Sequence, residues 1–475
     1  MSKLVKDSSL MFLSTLLSAL FQFGVGIYLS NKLGPLKYGI WLTISLIFIY
    51  GQLLHFGVIN AINREIPQEF GRGNFSRVRE IRSVALTWMF VPCSLSVIAL
   101  IIICFINLEQ TIKIYFALAI LIVPIQQLMS FYRILFLTVD DFKQVSINQL
   151  LIGPIQQMLI LLFVIVFDFY GLFIGIYVSS FIAIIILYNR LPEKVGLCWN
   201  WKLVKYLISF GAPILIIGLS WNLFTTLDRI MISSMLGAKF LGYYGISIFV
   251  FQGLMMFPQV ISQVLYPKIG YKFGKDGLNG GLIQSINNVS TILSLSTPYL
   301  LAIIYYLLPY FVKYFMPKYN EGIESATIIA IGLFPLVIIS VYTVYLNSSH
   351  KHKKYLSYLF IGILTNSFLN FLFIKFKFEI VGVSFATSIS NLIYSFLIIN
   401  FCLNDFNFSF KKKVGQLFLN YCPFITLVII IVFMKTFNLN NIFSLLFWII
   451  LYTCVLIFFL RLRKIKLIKM FKETF

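Results

Sequence analysis

Few residues of this chain are equipped for chemistry, and the ionisable ones set among apolar neighbours are quickly named. Asp228-Arg229 lies within Leu227–Ile232, Arg133 within Phe131–Leu137 and His55 within a glycine-flanked apolar stretch, with Arg64-Glu65 just beyond it. Arginine grips a phosphate or carboxylate through two parallel N–H bonds and keeps its charge in any surroundings. A neighbouring carboxylate can balance that charge or carry a proton or a cation. Ionisable groups inside a bilayer are costly, so each is a candidate for function. Each also has a structural reading. Asp228-Arg229 could be an ion pair to other helices, Arg229 and Arg133 could snorkel to headgroups, and His55 could hydrogen-bond a neighbouring helix.

Uncharged amides are commoner. Gln52 and Asn60 are eight residues apart, close to one helical face, and His55 follows Gln52 by three. Gln252, Gln259 and Gln263 share a face at spacings of seven and four, and Asn222, Asn366 and Asn370 add further amides. Such groups need partners or water in hydrocarbon. They can fasten helices together, or line a polar vestibule that accepts sugar hydroxyls. Other chemistries lack their residues. The six cysteines (93, 104, 198, 402, 422 and 454) form no CxxC or zinc spacing. Gly274-Lys275-Asp276 lacks the glycine run and Lys-Ser/Thr end of a phosphate loop. Asp140-Asp141 reads as a solvated loop. No metal and no cofactor is expected.

The elements that must hold these residues are membrane helices. Of 475 residues, 60% are hydrophobic and only 11% charged, against roughly 25% in a soluble domain. Too few charges exist to coat soluble domains. Apolar runs of about 20 residues recur along the chain, each able to cross a bilayer as a helix. The pattern predicts an all-α polytopic membrane protein with fourteen spans. They lie at 9–31, 38–60, 84–106, 114–138, 146–167, 171–189, 206–235, 241–265, 288–312, 323–347, 356–375, 380–401, 418–436 and 442–460. Very short links are expected at Asp168–Tyr170 and Lys377–Glu379. The first span is too long, and lacks the cleavage site, for a signal peptide, so it is expected to be retained. Eight prolines, Pro154 and Pro423 among them, fall inside predicted helices and are expected to bend them.

The net charge of +22 sorts by position. With fourteen spans, 27 of the 38 Lys and Arg residues fall on the side of the termini and 9 on the other. Arg133 and Arg229 are left inside the membrane. That asymmetry predicts cytoplasmic termini. The run Lys411–Lys413 and the basic tail, Arg461 to Lys472, suit an anionic inner leaflet, and no nucleic-acid partner is expected.

The chain repeats itself. Leu33-Gly34, with Gly39 and Trp41, matches Leu236-Gly237, with Gly242 and Tyr244. Pro67 to Gly73 corresponds to Pro267 to Lys275, and Asp168, Gly171, Gly175 to Glu379, Gly382, Ala386. Two six-helix lobes in the same orientation, 1–195 and 196–404, are expected, followed by two extra helices and a basic tail, 405–475. An axis along the membrane normal would relate the lobes.

Asn31 to Trp41, followed by Gly57, Asn60 and Arg64-Glu65, resembles the first two helices of bacterial polysaccharide flippases. So does Leu227 to Ile232, followed by Leu236-Gly237 and Gly242-Tyr243-Tyr244. These are the O-antigen (Wzx-type) exporters of the multidrug/oligosaccharidyl-lipid/polysaccharide superfamily. The resemblance implies movement of an undecaprenyl-diphosphate-linked oligosaccharide across the bacterial cytoplasmic membrane by alternating access. It implies no catalysis, but contact with membrane lipids and with polysaccharide polymerase machinery. Arg229 and Asp228 match the charged pair of the family's seventh helix, and Arg133 a basic position of the fourth. The expected substrate contacts are Arg229, Arg133, Asn60, Arg64, Gln52 and Asn222, with ion coupling at Asp228 and His55. Two alternatives stay open: a cation-coupled small-molecule exporter on the same fold, and a membrane polysaccharide polymerase or glycosyltransferase.

Overall fold

The computed structural model describes residues 3–139, 141–191, 193–349, 351–436 and 442–462. Asp140 and the tail from Arg463 onward lie outside the described residues, as does the side chain of Gln263. Among the described residues every regular element is a helix. Twelve helices among the described residues are long and apolar enough to cross a membrane. The first of them spans two expected crossings, because α1 (Lys3–Gly51) breaks at Gly34, whose φ of 70° only glycine adopts freely. The shorter apolar helix Ser444–Ile457 adds the last. The fourteen expected spans are thus accounted for, and the chain is an all-α, multi-pass membrane protein.

The chain divides into two compact units, residues 1–222 and 223–475. The division falls inside α9 (Trp201–Met235).

In the first unit α1 is followed by an irregular turn, 52–57, and by α2 (Val58–Gly71), α3 (Phe75–Trp88), α4 (Phe90–Phe105) and α5 (Gln110–Leu137). Then come α6 (Phe142–Leu150), a π turn (Leu151–Ile155), α7 (Gln156–Phe167) and α8 (Tyr170–Asn189). The short link before α8 is real and tight: Asp168 takes φ 48°. Gly171 and Gly175 then let α8 lie directly on the α7 backbone. A Cβ at Gly175 would stand 2.7 Å from the Ile160 Cα. The second expected link is equally tight, with Lys377 at φ 63° and Glu379 at φ 49°.

The π turn has a local cause. Pro154 has no N–H, so the Leu150 carbonyl four residues back loses its helical donor and the ladder widens to a π turn. The Ser18 hydroxyl of α1, bonded to its own Ser14 carbonyl at 2.6 Å, also lies 3.2 Å from the neighbouring Gln149 carbonyl. Gly153 makes room for it, since any Cβ there would overlap the Ser18 side chain.

The second unit holds the rest of α9, α10 (Ala238–Asp276) and α11 (Gly280–Phe315). A 3₁₀ turn (Pro317–Gly322) leads into α12 (Ile323–Gly332) and α13 (Phe334–Ser348). Then follow α14 (His352–Lys375), α15 (Glu379–Asp405), α16 (Phe410–Thr436) and α17 (Ile442–Leu462). A proline also interrupts α16. Pro423 strips the Leu419 carbonyl of its helical donor, and the Ser294 hydroxyl of α11 donates there at 3.1 Å and to the Asn420 carbonyl at 2.7 Å. Asn420 is fully buried, donates to the Tyr342 hydroxyl at 3.2 Å and accepts from Ser290 at 3.2 Å. Tyr342 in turn donates to Asn287 at 3.0 Å. This satisfied network holds the thirteenth span against α11 and α13. One turn further along α13, Tyr345, together with Lys351 just beyond the helix, donates to the Asp405 carboxylate.

Candidate functional site

Of the expected site residues, two meet in one cavity. Asp228 and Arg229 sit on α9 inside the second unit and line an opening of about 390 Å³. α10 adds Tyr244 and Ser247 to it, and α15 adds Thr387 and Asn391. Helical spacing sets each contribution. Thr387 and Asn391 are one turn apart on α15, and Tyr244 and Ser247 are three apart on α10. Neighbouring bonds fix them. Asn391 donates to the Gly332 carbonyl at 3.0 Å, and Ser247 and Ser325 share a hydrogen bond of 2.9 Å. Thr387 accepts from Asn366 at 3.3 Å, and Asn366 accepts from Asn370 at 2.5 Å.

The two charges are not spent on each other in the ordinary way. One Asp228 oxygen accepts the Tyr244 hydroxyl at 2.5 Å, and the other accepts the main-chain N–H of Arg229 at 2.8 Å. The Arg229 guanidinium makes no ion pair among the described residues. It is 7% exposed, and its Nε is buried without a hydrogen-bond partner. A buried guanidinium with unused donors is a ready receptor for an anion. Asp228 and Arg229 are thus adjacent in the chain without an ion pair between their side chains, and Tyr244 is the carboxylate's side-chain partner.

The remaining expected residues lie in the first unit. Arg133 is half-buried on α5, its Nε has no partner, and it makes no ion pair among the described residues. Gln52 is exposed and Asn60 half-buried, at either end of the irregular turn 52–57. His55 is buried there: its Nδ1 accepts the Gly57 N–H at 2.9 Å, and its carbonyl accepts the Trp88 indole N–H at 3.1 Å. The imidazole is thus engaged in shaping the turn. Gly57, at φ 90°, touches Gly211 of α9, where a Cβ would fall 2.6 Å from the Gly57 carbonyl carbon. That approach brings Arg64 over the Phe210 ring at 4.7 Å and Tyr206 into donating range of Glu65 at 3.0 Å. Asn222 is half-buried at the end of the unit. Gln252 and Gln259 on α10 are exposed and make no hydrogen bond through their side chains among the described residues, so they fasten no helix there.

Tyr244, Thr387 and Asn391 were absent from the expected site. Tyr244 was visible only as part of the repeated Leu-Gly…Gly-aromatic pattern. The α15 residues Ser384, Thr387 and Asn391 recur at helical spacing and mark one polar face, a signal that was available. No group of three or more His, Cys, Asp and Glu suited to a metal ion occurs among the described residues.

The chain is an all-α, multi-pass membrane protein whose second unit holds a cavity lined by one acidic and one basic side chain. The same fold occurs in the lipid II flippase MurJ in its inward closed conformation. That structure superposes with a TM-score of 0.70 at 14% identity, covering 95% of this chain and 100% of that one. A multidrug resistance MATE family transporter of the MOP superfamily, inward-facing, superposes with a TM-score of 0.68 at 11% identity, covering 84% and 98%. In sequence, an uncharacterized membrane protein of Methanocaldococcus jannaschii is 27% identical over 190 residues, 39% of this chain. The match spans 43% of that relative's length. The family described as polysaccharide biosynthesis protein matches residues 4–270, and the chain belongs to that family.

Proposed function

We propose that this protein is a flippase that moves a polyprenyl-diphosphate-linked oligosaccharide across a bacterial cytoplasmic membrane by alternating access. The observation that carries this reading is the Arg229 guanidinium, buried beside a small and largely apolar cavity with its Nε donor left unused. A diphosphate is a strong bidentate acceptor, and its passage through low dielectric needs a fixed counter-charge. Asp228, held off the guanidinium by Tyr244, limits the site's net charge and lets the anion leave again. The neutral hydroxyls and amides beside it suit sugar hydroxyls without selecting one sugar. Arg133, Arg64, Gln52, Asn60 and Asn222 are the further substrate contacts in this reading. Asp228, and His55 if its turn opens, are the candidates for ion coupling.

Two six-helix lobes, 1–195 and 196–404, would alternate between leaflets, with 405–475 as an appendix. Both termini face the cytoplasm in this reading, because 27 of 38 basic residues fall on their side. Released units would pass to polysaccharide polymerase machinery.

Arg229→Gln, at normal membrane abundance, is expected to leave the lipid-linked glycan on the cytoplasmic leaflet. Leaflet-resolved labelling of that glycan reads the outcome, and full surface polysaccharide in the variant would refute the role given to Arg229. The second reading, a cation-coupled small-molecule exporter, rests on Asp228. Drug–cation exchange in vesicles, with surface glycan untouched by deletion of the gene, would favour it instead.

A further inference from the structure

Away from that cavity, a second opening of about 320 Å³ lies where α10 and α11 meet near the link between them. On α10, Leu265, Lys268, Ile269 and Lys272 occupy one face at spacings of three, one and three. On α11, Leu282, Ser285, Ile286 and Val289 do the same. The apolar members form a buried floor, closed by Val341 of α13. The lysines stand exposed at the rim, and the Lys272 Nζ donates to the Ser285 hydroxyl at 3.4 Å. α11 starts beside them, its first turn capped by Asn279 at 2.8 Å, so its positive end adds to the same field.

The repeat makes this rim unusual. The corresponding inner segment of the first unit is also basic, but three of its five arginines are paired with carboxylates. Arg72 pairs with Glu69 at 2.6 Å, Arg77 with Glu80 at 2.7 Å and Arg79 with Glu193 at 2.8 Å. Lys272 has no ion pair among the described residues, and Lys275 follows it three residues later. Tyr266 and Tyr271 are exposed on either side, as aromatic side chains at a membrane–water boundary commonly are.

We propose that this groove holds an anionic phospholipid of the inner leaflet, its phosphate between Lys268, Lys272 and the Ser285 hydroxyl and its first chain carbons on the apolar floor. A free phosphate would have no use for the floor, and a zwitterionic lipid would gain little from two lysines. The site is separate from the Arg229 cavity and needs only that the α10–α11 link face the leaflet the charge asymmetry assigns to it.

The test is native mass spectrometry of the full-length protein titrated with phosphatidylglycerol and, separately, phosphatidylcholine. Juxtamembrane basic residues are worth about fivefold each, so Lys268→Gln/Lys272→Gln is expected to weaken phosphatidylglycerol retention about 30-fold. Phosphatidylcholine retention should be unchanged, and Lys268→Arg/Lys272→Arg should restore the preference. An unchanged melting temperature shows that the Gln variant is folded; if it falls, Ser285→Val, which removes only the hydroxyl, is read instead and should weaken retention several-fold. Three results would overturn the proposal: equal loss in Lys411→Gln/Lys412→Gln/Lys413→Gln, which means unspecific attraction; competition by millimolar inorganic phosphate, which means a free-anion site; or no loss in any variant. None of these results bears on glycan flipping, which Arg229→Gln tests.

Discussion

Replacing Tyr244 by Phe removes one hydrogen-bond donor and little else. The ring is 2% exposed, so its packing survives. The lost bond is short, 2.5 Å, and runs to a carboxylate. In soluble proteins a bond to a charged group is worth about 1.5–3 kcal/mol. Between membrane helices the mean is about 0.6 and the maximum about 1.7 kcal/mol, because the unfolded helices also find partners. A short, charge-assisted bond belongs near the top of the second range, and Asp228 keeps its bond from the Arg229 N–H. The expected cost is therefore about 1–1.7 kcal/mol. A double-mutant cycle of Tyr244→Phe with Asp228→Ala, read as unfolding free energy in bicelles, should return that coupling. The same step frees the carboxylate to turn toward Arg229. On the proposed function, the substrate concentration for half-maximal flipping should then rise about 5- to 15-fold, with turnover at saturation little changed. Additivity of the two substitutions within about 0.3 kcal/mol would refute the reasoning, as would normal half-saturation with the coupling present.

Three further outcomes follow from contacts already described. Gly211→Ala places a Cβ 2.6 Å from the Gly57 carbonyl carbon and should cost about 1–3 kcal/mol as overpacking, read as a lower melting temperature in detergent. Ser294→Ala leaves the Leu419 carbonyl without a donor opposite Pro423 and should cost about 0.6–1.7 kcal/mol; an unchanged unfolding free energy would show that another group takes over. Lys37→Ala breaks an ion pair to Asp168 in which both side chains are about half exposed, so the loss should stay under about 1 kcal/mol and vanish at high salt.

The sequence disclosed some layers of this architecture and concealed others, for physical reasons. Asp228 and Arg229 stand out because a charge in an apolar run is costly wherever the chain folds. The links at Asp168 and Lys377 show as breaks between apolar runs, although their left-handed backbones do not. Tyr244, Thr387 and Asn391 reach the cavity from helices distant in the chain, and only packing brings them to α9. Asn391 was not even counted among the amides. His55 was legible as a polar group in an apolar stretch, but its commitment to the turn depends on Gly57 and Trp88. The meeting of Gly57 with Gly211 leaves no local trace, since each glycine alone reads as a permissive residue.

The serine hydroxyl opposite Pro423 constrains how this protein can deform. The bend lacks a hydrogen bond of its own helix and receives one from another: Ser294 of α11 serves α16. Sliding the pair by one turn would strand the Leu419 carbonyl where no water can replace the donor, at a cost of several kcal/mol. A proline usually counts as a free joint. Here it is pinned to its neighbour, so α11 and α16 travel as coupled members. The turn at 52–57 is held differently, by its own backbone hydrogen bonds together with one imidazole nitrogen and one indole N–H.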